Sequence, residues 1–195
     1  MIFDIFKQTN FLDIVILIIL FRICYIAAKM GLSFEIFKFL GVVFATYISL
    51  HYYTNVSDAI QLDFLPKGMP LEFTDFLVFV VLASVSYIGF VVFRSIFHHF
   101  VTMEAVPAIS KFGGLFLGIA RSFFVVGLLV YTLNISSISY LTSSVKHSYL
   151  GSRAFLISPN TYSWLWNTIF CKFSTKEKFN PTVKEVIDRF NREWN

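Results

Sequence analysis

Two stretches of this chain, Phe39 to Ser57 and Phe76 to Phe93, contain no aspartate, glutamate, lysine or arginine. At about 1.5 Å of rise per helical residue, each can cross most of the roughly 30 Å hydrocarbon layer of a bilayer. A soluble fold has little use for two such runs, so the chain is constrained to be a membrane protein. Two further apolar segments flank them. The first, Phe11 to Met30, carries Asp13 near its start and Arg22 in its second half, and the last, Phe112 to Asn134, carries Arg121. Composition agrees, with 56% hydrophobic and only 14% charged residues, against about 25% charged in an ordinary soluble domain.

The expected fold is therefore all-α: a polytopic membrane protein of about four transmembrane helices, with a C-terminal amphipathic or interfacial helical tail. We divide the chain into a membrane domain over 1–145 and an aromatic, basic tail over 146–195. The N-terminal residues lack the basic region and small-residue cleavage site of a secretory signal, so the first segment is expected to remain as an uncleaved anchor. The link Gly31 to Lys38 predicts a tight helical hairpin. Asp58 to Asp75, acidic and broken by Pro66 and Pro70, predicts an irregular loop, and Arg94 to Lys111 predicts a third, hydrated link. Lysines and arginines cluster near the first and third links, which places both in the cytoplasm and both termini outside.

The tail has two parts. Ser152 to Phe173, with Trp164 and Trp166, has a composition suited to the membrane interface. Beyond it, Asn180 is a candidate helix cap and Pro181 fits the first helical position. Val183, Val186, Ile187, Phe190 and Trp194 then fall on one face. We expect that helix to lie on the membrane surface, with packing on the protein's own loops as the alternative.

Charged residues inside apolar segments are expensive and mark sites of function or assembly. Asp13 and Arg22 lie about 13.5 Å apart along one helix axis and cannot pair with each other. Arg22, Glu35 and Arg121 are expected to gather near the cytoplasmic ends of the spans. The competing reading has both arginines snorkelling to lipid phosphates. Gly114, Gly118 and Ser122 recur at every fourth position, which makes one face of the last span nearly free of side chains. Such a face lets a neighbouring helix approach closely, within the chain or in a homodimer.

Order and spacing here resemble the colicin V production protein family. The last span of that family opens with an acid, a basic residue, two apolar residues, Gly, three residues, Gly, two residues, Arg and Gly. This chain has Lys111, Gly114, Gly118 and Arg121 in that register, with Ser110 in place of the acid and Ser122 in place of the final glycine. At the front, Asp13, Gly31 and Glu35, followed by Leu40, Gly41, Ala45 and Tyr47, match the family's early aspartate and its Gly, three residues, Glu motif. The resemblance covers roughly residues 11 to 170. It implies a multi-pass protein of the bacterial cytoplasmic (inner) membrane, associated with production or export of a peptide toxin and with envelope homeostasis. It also marks Gly31 and Gly41 as helix-packing positions.

No catalytic constellation, nucleotide loop or redox motif is present, so no enzyme activity, cofactor or metal is expected. His98, His99, Glu104 and His147 lack the i, i+4 histidine pair of a helical metal site. Cys24 and Cys171 are read as unpaired thiols. The partners expected are the lipid bilayer, a further copy of the chain, or a membrane or secretion-system protein, and no nucleic acid. Two functions follow: an accessory or scaffold protein, or a small oligomeric channel or transporter built around Asp13, Arg22, Glu35 and Arg121.

Overall fold

A computed structural model describes residues 10–63, 70–100, 107–136, 138–173 and 177–192. Four long helices carry the apolar segments: α1 (Phe11–Met30), α2 (Leu32–Asp63), α3 (Leu71–Phe100) and α4 (Pro107–Ile135). Each contains a window long and apolar enough to cross a membrane. Helical structure extends past the apolar stretches at both ends of α2 and α3, because polar residues such as Glu35 and Asp58 continue a helix at little cost once it is nucleated. The expected Gly31–Lys38 link is thus reduced to one residue. Residues 58–63 of the expected irregular loop are helical, with α3 starting at Leu71, while α3 runs on to Phe100 and α4 starts at Pro107 within the expected third link.

Gly31 turns the chain alone. Its φ of +82° and ψ of 171° form a conformation open to glycine and strained for other residues. The hairpin it makes is splayed: α1 packs chiefly on α4, α2 packs on α3 and α4, and α1 meets α2 only near the turn. In cross-section the spans therefore run α1, α4, α2, α3. We call the end bearing Gly31 and the start of α4 the turn end, and the opposite end the tail end.

The tail folds as α5 (Ser139–His147), α6 (Tyr149–Phe155), α7 (Ile157–Leu165), a π-helical stretch (Trp166–Phe170), α8 (Cys171–Phe173) and α9 (Pro181–Arg192). A column of aromatic rings ties it to the spans. Tyr53 of α2, Phe79 of α3, Tyr131 of α4, Phe155 of α6 and Phe190 of α9 follow one another at centroid separations of 5.6, 5.4, 5.8 and 4.1 Å. All five rings are buried, and each pair adds about 0.5–1.5 kcal/mol beyond its area of burial. One hydrophobic core thus runs from Leu12 to Phe190.

That column corrects the expected surface-lying position of the last helix. Val183 and Phe190 are buried and Val186 and Ile187 pack against the core, so α9 spends its apolar face on its own chain. Trp194 lies outside the described residues. Within the aromatic segment the two tryptophans part company. Trp164 is exposed, whereas Trp166 is buried and stacks on His51 at 5.2 Å, a role in the core rather than at the interface.

Candidate functional site

The four charged residues read from the sequence occupy three separate places. Glu35 sits in the first turn of α2, fully buried, with Arg121 Nε 3.0 Å from its Oε2 and Lys38 Nζ 3.0 Å from its Oε1. The Arg121 N–H is not aimed along the short contact, so the attraction is coulombic rather than a directed hydrogen bond. Helix direction explains how Arg121 reaches Glu35. Side chains lean toward the N-terminus of their own helix, and α4 begins at the turn end. Lys38 completes the cluster from position i+3 of Glu35, a spacing that brings side chains together on one helix face.

Asp13 lies at the other end. Its carboxylate accepts from Asn10 N (3.0 Å), Ser148 Oγ (2.6 Å) and Leu150 N (2.8 Å), in a fully formed polar nest at the start of α1. Three donors and the positive end of a helix dipole stabilise the charge without a cation. Asp13 therefore docks the tail onto α1. Arg22 is in neither place. It is exposed on the outer stripe of α1, and among the described residues it has no ion pair.

The small residues form the seam that lets the helices at the turn end close. A Cβ on Gly114 would stand 2.8 Å from the backbone carbon of Gly31, and one on Gly118 would collide with the Ala27 side chain. Ser122 is buried and donates to Ile119 O at 2.6 Å. The face expected to pack a helix or a second copy is thus filled by α1 of the same chain. Gly41 gives room to Phe90, where a Cβ would stand 3.1 Å from its Cβ. Ser110, the position where the resemblance expects an acid, accepts from Leu32 N at 3.3 Å. It also lies against Gly31, so α2 is capped from a neighbouring helix. Lys29, Lys38, Arg94 and Lys111 all fall at this end, with Arg94 over the Phe34 ring at 5.6 Å.

A polar node at the tail end was not anticipated. Asn180 Oδ1 accepts from Thr182 N (3.1 Å), the cap the sequence signals. Its amide nitrogen also donates to Leu50 O (2.8 Å) and Thr54 Oγ1 (3.1 Å), and its backbone N–H donates to Tyr162 Oη (2.9 Å). The Tyr162 hydroxyl also shares a hydrogen bond with His51 Nδ1 at 2.9 Å, while His51 Nε2 faces Glu177 Oε2 at 3.5 Å. Burial raises the Tyr162 phenol, the Asn180 N–H opposes the rise, and Glu177 and Tyr52 add to it, for a net position of about 12. It therefore keeps its proton throughout the physiological range. Nothing in the local sequence around Asn180 points to Leu50 or Tyr162; only tertiary packing brings them within reach.

Beside this node a cleft of about 690 Å³ opens, lined in part by Tyr53, Glu72, Asp75, Lys146, His147 and Arg189. His147 is exposed on α5, its Nδ1 2.8 Å from Ser143 O. The side chains of His98 and His99, and all of Glu104, lie outside the described residues. No group of metal-ligating side chains occurs among the described residues.

Four bilayer-length helices, a close-packed small-residue seam over a buried Glu–Arg pair, and a tail folded onto one end define a multi-pass helical membrane protein. The family model described as colicin V production protein matches residues 12–171. The chain belongs to that family. Neither the curated proteins nor the solved structures contain a match to it.

Proposed function

We propose that this protein is an accessory or scaffold component of the bacterial cytoplasmic membrane, serving toxin production or export and envelope homeostasis, and that it catalyses no reaction. The observation that carries the reading is the Glu35–Arg121 contact at 3.0 Å beneath the Gly114–Gly118 seam. Glu35 and Arg121 are neutralised against each other between helices, where neither is free to line a path. In this reading the turn end, with Lys29, Lys38, Arg94 and Lys111, faces the cytoplasm, following the positive-inside bias. The docked tail and its cleft then face outward and present a formed surface to a membrane or secretion-system partner.

The alternative function is an oligomeric channel or transporter. The exposed cation of Arg22 favours it, because ionisable residues in spans often mark pathways. Particle size in a mild detergent, followed by ion and solute flux in reconstituted vesicles, separates the two. The scaffold predicts a monomer or small complex whose flux equals that of empty vesicles. A larger ring with flux above that background overturns the proposal.

A further inference from the structure

We infer that the outer face of α1 docks a transmembrane helix of another membrane protein, one carrying a single carboxylate, Asp or Glu, at the depth of Arg22. This rests on the scaffold reading and names its partner class. The outer stripe of α1 consists of Phe11, Ile14, Ile18, Phe21 and Tyr25, between 53% and 73% exposed, and Arg22 stands within it. An apolar stripe alone would be lipid-facing surface of no special meaning. The guanidinium changes that.

Its depth follows from two helices independently. Arg22 is about 12 Å from the end of α1 at Met30, at the helical rise per residue. Gly118, which a Cβ would bring to 3.9 Å from Ile23 O, lies equally far, about 12 Å, from the start of the α4 span at Ser110. The direction of the side chain matters as much. The Cα–Cβ bond leans toward the N-terminus of α1, so Arg22 starts out toward the tail end, the farther boundary, about 16 Å away. Lys29, on the same stripe but one residue from the end of α1, lies over the Tyr25 ring at 4.3 Å. Arg22 stands eight residues from that end and leans away from it.

Among the described residues of its spans, a second copy supplies no counter-charge at this depth. Of the described carboxylates in the spans, Asp13 and Glu35 are buried and engaged, and Asp58, Glu72 and Asp75 lie toward the tail end. Packing two α1 outer faces together would set Arg22 against Arg22. Charge complementarity therefore selects a different chain with an acidic residue inside its own span, where a charge-assisted contact is favoured by the low dielectric.

The test uses synthetic leucine-rich transmembrane helices carrying Glu or Leu at the matching depth, in neutral phosphatidylcholine vesicles. Energy transfer from a donor on Cys171 to an acceptor on the helix reports association. The Glu helix is expected to bind about tenfold more tightly than the Leu helix, and Arg22→Leu to abolish the difference. Arg22→Glu should reverse the preference, toward a helix bearing Lys. Equal binding of the Glu and Leu helices, or a preference that survives Arg22→Leu, overturns the inference. So does loss of anionic-lipid retention in Arg22→Leu without change in helix binding, which would make a headgroup phosphate the ligand. None of these outcomes depends on flux, so failure here and failure of the scaffold reading are told apart.

Discussion

On its inner face α1 meets α4 at backbone distance, and the cation of that seam, Arg121, has Glu35 beside it and is 6% exposed. On its outer face the same helix carries Arg22 among exposed aliphatic and aromatic side chains with no ion pair among the described residues. Both arginines sit in apolar segments and look alike in sequence. Helix direction and neighbours separate them: α4 aims Arg121 at the turn end, where Glu35 opens α2, while α1 aims Arg22 away from the nearer boundary. One cation serves the fold, and the other is left for something outside it.

The sharpest way to break this contrast is to remove the inner counter-charge. Glu35→Gln leaves Arg121 buried and unpaired, and a loss of about 3–5 kcal/mol in unfolding free energy is expected from denaturant titration in detergent. Next comes the seam. Gly114→Leu drives a side chain into the Gly31 backbone and should cost at least about 1–3 kcal/mol, whereas Gly89→Ala, where a Cβ meets nothing within 4 Å, should cost little more than nothing in the same titration. Asn180→Ala removes the cap and both amide contacts to α2 and should destabilise the tail by about 1–2 kcal/mol. Limited proteolysis should then cut before α9 while the spans stay intact. The smallest effect belongs to the outer face. Arg22→Leu should leave melting within about 0.5 kcal/mol of the parent, since it touches no buried partner.

How much of this could be read in advance divides along physical lines. The four spans, α1 to the residue, and the small-residue face of α4 were legible, because length, absence of charge and a four-residue period are local properties. The Asn180 cap was legible for the same reason. The assignment of charges was only partly so. Glu35 and Arg121 come together, but Asp13 is satisfied by Ser148 and Leu150 N, residues far along the chain whose approach depends on how the tail folds back. The position of α9 was undecidable from its amphipathic pattern, since an apolar face fits a bilayer surface and a protein core equally well. The ring column from Tyr53 to Phe190 decides for the core. Lys38, three residues beyond Glu35, forms a helical pair that the sequence spacing alone makes visible.

The central claim is that Glu35 and Arg121 neutralise each other within the bundle. A double-mutant cycle with Glu35→Gln, Arg121→Gln and the combined variant, followed by unfolding free energy in one detergent, tests it most directly. The pairing predicts that the combined variant loses less than the sum of the two single losses, by at least about 1 kcal/mol. Strictly additive losses would contradict it and would leave the two residues as independent buried charges.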